Sequence, residues 1–548
     1  MIDWKQALKK IAKAIGISSK AAEEKRSPEP NRPQVLNITR TSTLPPDSSK
    51  ARSDVFHASK QAVKPTPQAP SIPNQRVGAS PTNAPATGIS KTPVSSGPVM
   101  TEHRIKHPGC ETFQDQSWQQ FGSQTKVGNV RPGLRSMCTV GLDFGTAFTK
   151  ACVQVRNSSY VVHWDRAVRI ASPFLLPSVF STLSDGTCVL GNVQGARQFT
   201  DLKMALLGTP TEEDKLNATI FIALTSRYAR SWLFSEHRKV VEGYQLDWAL
   251  NVGLPASSWD DEVTRTLYRS LALAGWRLGC TAGPITFSGA KDALLSVESR
   301  APSSPGQLVW DMVEAIPEFA AQIHSYRCSA QRQRDLHLLV DVGAGTVDIV
   351  TFHVGDEIDT ETPVNCIMES TVQNWGTHVL LRQRAQAGSL ASRVWDDAAT
   401  TLSRSDFEIH YSLQKGALVQ SQGEFSERID RAIRKVLLTT QRERYATSPA
   451  WTSGIPFFLT GGGRTVDAYR EAIAGTQGFR KLIEMSMPVP TDTALGKLGR
   501  GEFHRISVAH GLSFPAMNLA KTLGKDEVPP LTLPKRHRED YRDSYIEK

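Results

Sequence analysis

Two stretches of this chain carry the same short design, and that repetition constrains the fold more than any other feature. The first is Val140-Gly-Leu-Asp143-Phe-Gly145-Thr146-Ala147-Phe-Thr-Lys150; the second is Leu338-Leu-Val-Asp341-Val-Gly343-Ala344-Gly345-Thr346-Val-Asp348. Each reads as an apolar strand, an acid, a Gly–Thr turn and a return strand. Such a turn exposes successive backbone N–H groups, and Gly145 lets a phosphate approach them closely. Asp143 repels a phosphate but holds Mg²⁺ through water, which suits an ion reluctant to lose its hydration shell. Lys150, at the start of the return strand, brings an ammonium within reach of phosphates. Taken alone, the first stretch is equally an ordinary hairpin. The second is more specific, because an unbroken D-x-G-x-G-T-x-D arises by chance in roughly one chain in thousands. A third stretch, Phe457-Phe-Leu-Thr-Gly461-Gly462-Gly463-Arg464, reads as strand, three glycines and helix, which suits backbone approach to a flat base or sugar.

Charge is concentrated at one end of the 548 residues. Residues 1–110 hold 17 Lys/Arg against 7 Asp/Glu, which is the whole net charge of +10. The same stretch has 14 of the 32 prolines and two aromatic residues, Trp4 and Phe56, too little apolar surface to offset the entropy of ordering. The basic balance therefore describes a tail and does not mark the body as a nucleic-acid binder. No apolar run reaches the ~18–20 residues that cross a bilayer, and residues 1–20 lack the apolar core of a secretory signal. The seven cysteines are scattered, with no C-x-x-C pair, which fits a reducing cytoplasm and argues against a disulfide scaffold or zinc knuckle.

Periodicity organises the rest. Ile2, Trp4, Leu8, Ile11 and Ile15 fall on one side of a short amphipathic helix over residues 1–20, a docking element for a protein partner if it is more than a frayed end. A Pro/Ser/Thr-rich disordered linker is expected over 21–130. Strands are expected at Cys138–Leu142, Lys150–Val155, Trp248–Gly253 and Pro456–Thr460, with strand, turn and strand over His337–Val354. Helices are expected at Asp201–Leu207, Asn217–His237, Trp259–Leu278, Leu308–Ser325, Thr377–Ala385 and Ser426–Thr440. Residues 515–548 read as a flexible tail.

The order phosphate turn, phosphate turn, glycine loop resembles the actin, sugar-kinase and heat-shock ATPase superfamily, and most closely the DnaK-type (seventy-kilodalton) heat-shock chaperones. Leu176-Pro-Ser178-Val-Phe, Gly191–Ala196 followed by Asp201–Gly208, Asn251–Ala256 followed by Leu271–Leu278, and Gly376-Thr-His378 resemble further segments of that family. The resemblance covers about residues 138–514. It implies an α/β fold of two actin-like, ribonuclease H-like lobes, each on a five-stranded mixed sheet, at 138–330 and 331–514 with a helical insert near 389–449.

The resemblance also implies roles. Asp143 and Asp341 would position Mg²⁺ and the attacking water. Gly145, Thr146, Gly343, Gly345 and Thr346 would hold the β- and γ-phosphates of ATP or ADP, and Gly461, Gly462, Gly463 and Arg464 would face the adenosine. Lys203 stands where the chaperones keep a lysine needed for hydrolysis, and Asp348 matches the last acid of their second phosphate motif. There are departures. Ala147 replaces a phosphate-touching hydroxyl, Ala344 narrows the second turn, and Lys150 occupies the place of the phosphate lysine of actin and plasmid-partition filaments. Ile316 replaces the family's glutamate, leaving Glu318 or Glu314 to substitute.

These readings lead to an expectation of a slow, cytoplasmic, chaperone-like Mg-ATPase whose lobe closure switches a protein partner. Actin-like filament formation for partition or cell shape is the alternative. A small-molecule kinase and a non-hydrolysing nucleotide-binding scaffold stand behind it. A chaperone of this type carries a substrate-binding domain after the ATPase, and residues 515–548 are too few to form one.

Overall fold

The computed structural model describes residues 110–530 except 114–116, 125, 300–311, 357–362, 391–396, 492–494, 496–497, 499–501 and 529. The helix expected over residues 1–20 lies outside the described residues, as does the tether as far as residue 109.

The first repeated stretch folds as its pattern dictates. Strand β1 (Arg135–Asp143) pairs antiparallel with β2 (Phe148–Val155), and the register sets Asp143 opposite Lys150. β3 (Ser158–Val161) and β4 (Leu176–Pro177) border β2. A small separate sheet follows, formed by β5 (Phe180–Thr182), β6 (Cys188–Leu190) and β7 (Arg197–Phe199). β8 (Gln245–Leu254) then returns parallel to β1, and β9 (Val313–Pro317) lies parallel to β8. The sheet order is β3-β2-β1-β8-β9 with β4 on β2, six strands rather than the five expected.

Helices fill the parallel connections. Helix α1 (Glu212–Glu236) starts at a capping box in which Thr211 and Asp214 satisfy each other's backbone N–H. Every residue from Ala218 to Phe234 is buried, so this helix is core on all sides rather than amphipathic. Helix α2 (Glu262–Cys280) packs closely on it because Gly275 and Gly279 have no side chain. A Cβ there would stand 2.8 Å from Ile222 and 2.7 Å from the Ser226 hydroxyl.

The second repeated stretch opens a second sheet. β10 (Asp335–Val342) and β11 (Val347–Asp356) form the hairpin, β12 (Pro363–Gln373) extends it, and β13 (Ile455–Thr460) runs parallel to β10. β14 (Leu482–Glu484) and β15 (Lys521–Leu523) complete the order β14-β13-β10-β11-β12-β15.

Four expectations are corrected. Leu308–Ser325 is not one helix. Its described part is β9, then the short helices α3 (Glu318–Gln322) and α4 (His324–Arg327), because Val313–Pro317 is taken up as a parallel strand by β8. The tail is not free from residue 515: β15 adds to the edge of β12, and Val528 is buried in the core beneath it.

The expected lobe boundaries also cut across the packing. α4, assigned to the first lobe, is bound to the second sheet through Arg327, which donates to the Val364 and Gly355 carbonyls and to Asn365. Helix α9 (Phe503–Leu512), assigned to the second lobe, lies on the first sheet, where the Asn251 amide donates to the Leu512 and Phe514 carbonyls at 2.8 Å each. Between β12 and β13 the chain forms helices α5 (Thr377–Ala387), α6 (Arg404–His410) and α7 (Val419–Thr439), the last two within residues 389–449, and α8 (Asp467–Gln477) follows β13.

Finally, the described part of 110–130 is not linker. Cys110 is buried, Glu111 and Thr112 bridge to Asn192 and Val168, and a 3₁₀ helix over Ser117–Ser123 lies against α1.

Candidate functional site

The two hairpins present their turns to one cleft lined by residues of both sheets. Their registers are identical in form. Asp143 faces Lys150 across β1–β2, and Asp341 faces Asp348 across β10–β11. The same structural position thus carries a base in one hairpin and an acid in the other. Lys150, expected to reach phosphates, donates to Asp143 at 2.9 Å.

A second lysine–carboxylate pair closes the cleft. Lys203, just before the 3₁₀ turn Met204–Leu207, donates to Glu318 at 2.6 Å; the two side chains are 10% and 13% exposed. Glu318 begins α3 and is seated against Gly253 of β8, where a Cβ would come 2.7 Å from its side chain. Of the two substitutes considered for the acid missing at Ile316, Glu318 is in the cleft. Glu314 faces away and pairs with Arg269 at 3.3 Å.

Mutual repulsion and burial set the proton affinities. Burial and Asp143 raise the Asp341 carboxyl, opposed by Lys150 and by hydrogen bonds from Thr460 and Gln322. The Thr460 hydroxyl donates to Asp341 at 3.1 Å. Burial and Glu318 push Asp348 up to about 8, so it carries a proton at neutral pH. Burial also raises Glu318, although Lys203 opposes it.

The turns are built by glycine. Gly461 has φ +82°, and a Cβ there would overlap the Val342 carbonyl and the Asp341 carboxylate, so the loop after β13 presses directly on the second acid. Gly345 lies against the first turn, with a Cβ position 3.3 Å from the Thr146 hydroxyl. The start of α5 binds the second turn from behind: the N–H groups of Gly376, Thr377 and His378 donate to the carbonyls of Gly345, Gly343 and Ala344.

Asp143, Gly145, Thr146, Ala147, Lys150, Lys203, Glu318, Asp341, Gly343, Ala344, Thr346, Asp348 and Gly461–Gly463 all line the cleft. Arg464 instead lines a neighbouring cavity of about 510 Å³ with Ser486 and Met487, and His504 borders both spaces. Sequence reasoning missed Gln322, Thr400, Thr401, His504 and Arg505, which also line the cleft. Gln322 had a weak local signal as a polar residue ending an apolar turn. Arg505 had none, being brought in by α9 from far along the chain.

Among the described residues, no three His, Cys, Asp or Glu side chains converge into a metal cage. Two opposed acids, Asp143 and Asp341, fit instead an ion that keeps most of its water, as Mg²⁺ does. The cleft encloses about 110 Å³, below the ~300–1,000 Å³ that takes a whole small-molecule ligand. No protein-family model matches the chain, and no curated protein sequence matches it.

Proposed function

We propose that the chain is a slow Mg-ATP-binding and ATP-hydrolysing, chaperone-like ATPase whose cleft closure switches a protein partner. The observation that carries this reading is the pair of acid–glycine–threonine turns in one register, facing one cleft with a Lys203–Glu318 pair between them. Asp143 and Asp341 would hold the hydrated ion, which supplies charge neutralisation at the phosphates when bound. The backbone N–H groups of the two turns would cradle the terminal phosphates. Glu318 would orient the attacking water, and Lys203 would meet the charge that develops on the γ-phosphate. α3–α4 and the 513–520 segment are two of the places where the chain passes between the sheets, and a change in cleft width would bend them.

Calorimetry on the full chain tests this. ATP and ADP should bind with Mg²⁺, and binding should weaken sharply in Asp143→Ala and in Gly461→Trp, the latter by filling the loop against Asp341. Equal affinity in wild type and both variants sinks the reading. Lys150, seated on the first turn, is the observation favouring an actin-like filament. ATP-dependent, concentration-dependent sedimentation would establish that alternative, and its absence would leave the switch reading.

A further inference from the structure

The acids lining the cleft are Asp143, Glu318, Asp341 and Asp348, and its lysine and arginine side chains are Lys150, Lys203 and Arg505. The proposed reaction gives Arg505 no task. Lys150 and Lys203 are each engaged with a cleft carboxylate, at 2.9 and 2.6 Å. Arg505 comes from another part of the chain. It projects from α9, a helix packed on the first sheet, and is half-buried at the cleft wall. Its guanidinium carbon is 5.8 Å from the centre of the Phe148 ring, which directly follows the first phosphate turn. Its Nη2 is 3.8 Å from the place a Cβ would occupy on Gly462, in the glycine loop of the second sheet. One cation therefore reaches from the turn that would take terminal phosphates to the loop that would take the adenosine.

Between those two ends of a bound nucleotide lie its inner phosphates. A guanidinium presents a planar fork of donors that matches phosphate oxygens two at a time, and the Phe148 ring lies beside that fork. We propose that Arg505 binds the inner phosphates of the nucleotide and so ties the Gly461–Gly463 loop to the first hairpin whenever nucleotide is present. This inference rests on the nucleotide reading of the cleft. Because ATP and ADP share these phosphates, the contact survives hydrolysis. It makes Arg505 a binding residue that keeps the cleft engaged in the product state, while Lys203 responds to the terminal phosphate alone. A base-stacking role for the same guanidinium is the rival, and the two differ in what they do to adenosine.

The test is calorimetry of Mg-ADP and of adenosine on the full chain, in wild type, Arg505→Ala and Arg505→Lys, with thermal melts of each protein without ligand. Arg505→Ala should weaken Mg-ADP by roughly 10- to 100-fold, the loss expected for a charge-assisted hydrogen-bonding partner, and leave adenosine within about twofold. Arg505→Lys keeps the charge without the fork and should fall between. If the alanine variant melts as an unfolded chain, the lysine variant decides, by the same contrast between ADP and adenosine. Unchanged ADP affinity, or equal losses for ADP and adenosine, overturns the inference while the nucleotide reading stands. A wild-type protein with no affinity for Mg-ADP overturns both.

Discussion

Lys203 and Glu318 meet at 2.6 Å although the chain between them makes two strands and two long helices of the first sheet's layer. Burial disfavours the lysine's charge, yet attraction to Glu318, and then to Tyr268 and Asp143, raises its proton affinity, so it stays an ammonium. Lys203→Ala should keep Mg-ADP affinity while lowering single-turnover hydrolysis by roughly 10²-fold, the scale of one lost transition-state donor. Lys150→Ala should instead weaken nucleotide binding, because its place opposite Asp143 would put it on the ground-state phosphates of the proposed nucleotide. Exchanged phenotypes would show that the two lysines have been assigned the wrong way round.

Asp348 supplies a pH-dependent prediction. Its carboxyl is raised from 3.8 to about 8 by burial and Glu318. A carboxyl whose folded-state pKa is raised favours folding fully below its unfolded value, and that contribution is lost as pH rises through the folded value. Asp348→Asn, which cannot ionise, should therefore match wild type in urea midpoint near pH 4 and exceed it increasingly up to pH 8. The limiting slope is about 1.4 kcal/mol per pH unit. A gap of the same size at both ends of that range would rule this out.

Much of the site was legible because local pattern and fold agree there. β1–β2 and β10–β11 are apolar strands flanking Gly–Thr turns, and β13 is a six-residue apolar strand ending in three glycines, so each element is fixed by neighbours in sequence. The misses have another cause. Val313–Pro317 is five residues of strand buried beside β8, and a short apolar run does not distinguish strand from helix. β15 is three residues long and exists because β12 offers it an edge. Arg505 belongs to the cleft only because α9 crosses back to the first sheet, a relationship no window of sequence contains.

Four histidines should make the fold sensitive to acid. His324 and His337 are lowered to about 4, and His353 and His510 to about 3, by burial in each case with nearby cations or histidines adding to it. His337 shows why: its ring lies between Phe352 and Phe458, and its nitrogens are engaged by the Tyr326 hydroxyl and the Asp335 carbonyl, both at 2.9 Å. A histidine lowered in the fold contributes stability above its unfolded pKa, near 6.5, and loses it as pH falls toward the folded value. His510→Gln should accordingly take up about one proton fewer than wild type on unfolding at pH 5, and the same number at pH 8. Calorimetric unfolding in buffers of different ionisation enthalpy measures this, and an equal uptake at pH 5 would refute it.

The N-terminal boundary of the folded body should fall near Cys110, well before the first strand. Residues Ser117–Ser123 lie on α1, and a Cβ on Gly122 would overlap the Arg227 carbonyl. Beneath them Arg227 donates to the carbonyls of Leu278, Gly279, Thr281 and Gly283, satisfying the C-terminal end of α2. Arg230 lies 4.9 and 5.3 Å from the Trp248 and Trp276 rings and donates to the Gln124 carbonyl at 2.5 Å. Removing this covering segment would open a buried guanidinium to a surface it is not built for. A chain beginning at Glu102 should melt within about 1 °C of the full protein, whereas one beginning at Leu134 should melt at least ~5 °C lower. Gly122→Val in the full chain should lower the melting temperature in the same direction, by forcing the 3₁₀ helix away from Arg227. Limited proteolysis should leave a core whose N-terminus lies before Cys110. A stable core that starts between Val127 and Cys138, melting as the full chain does, would show that the segment is ornamental.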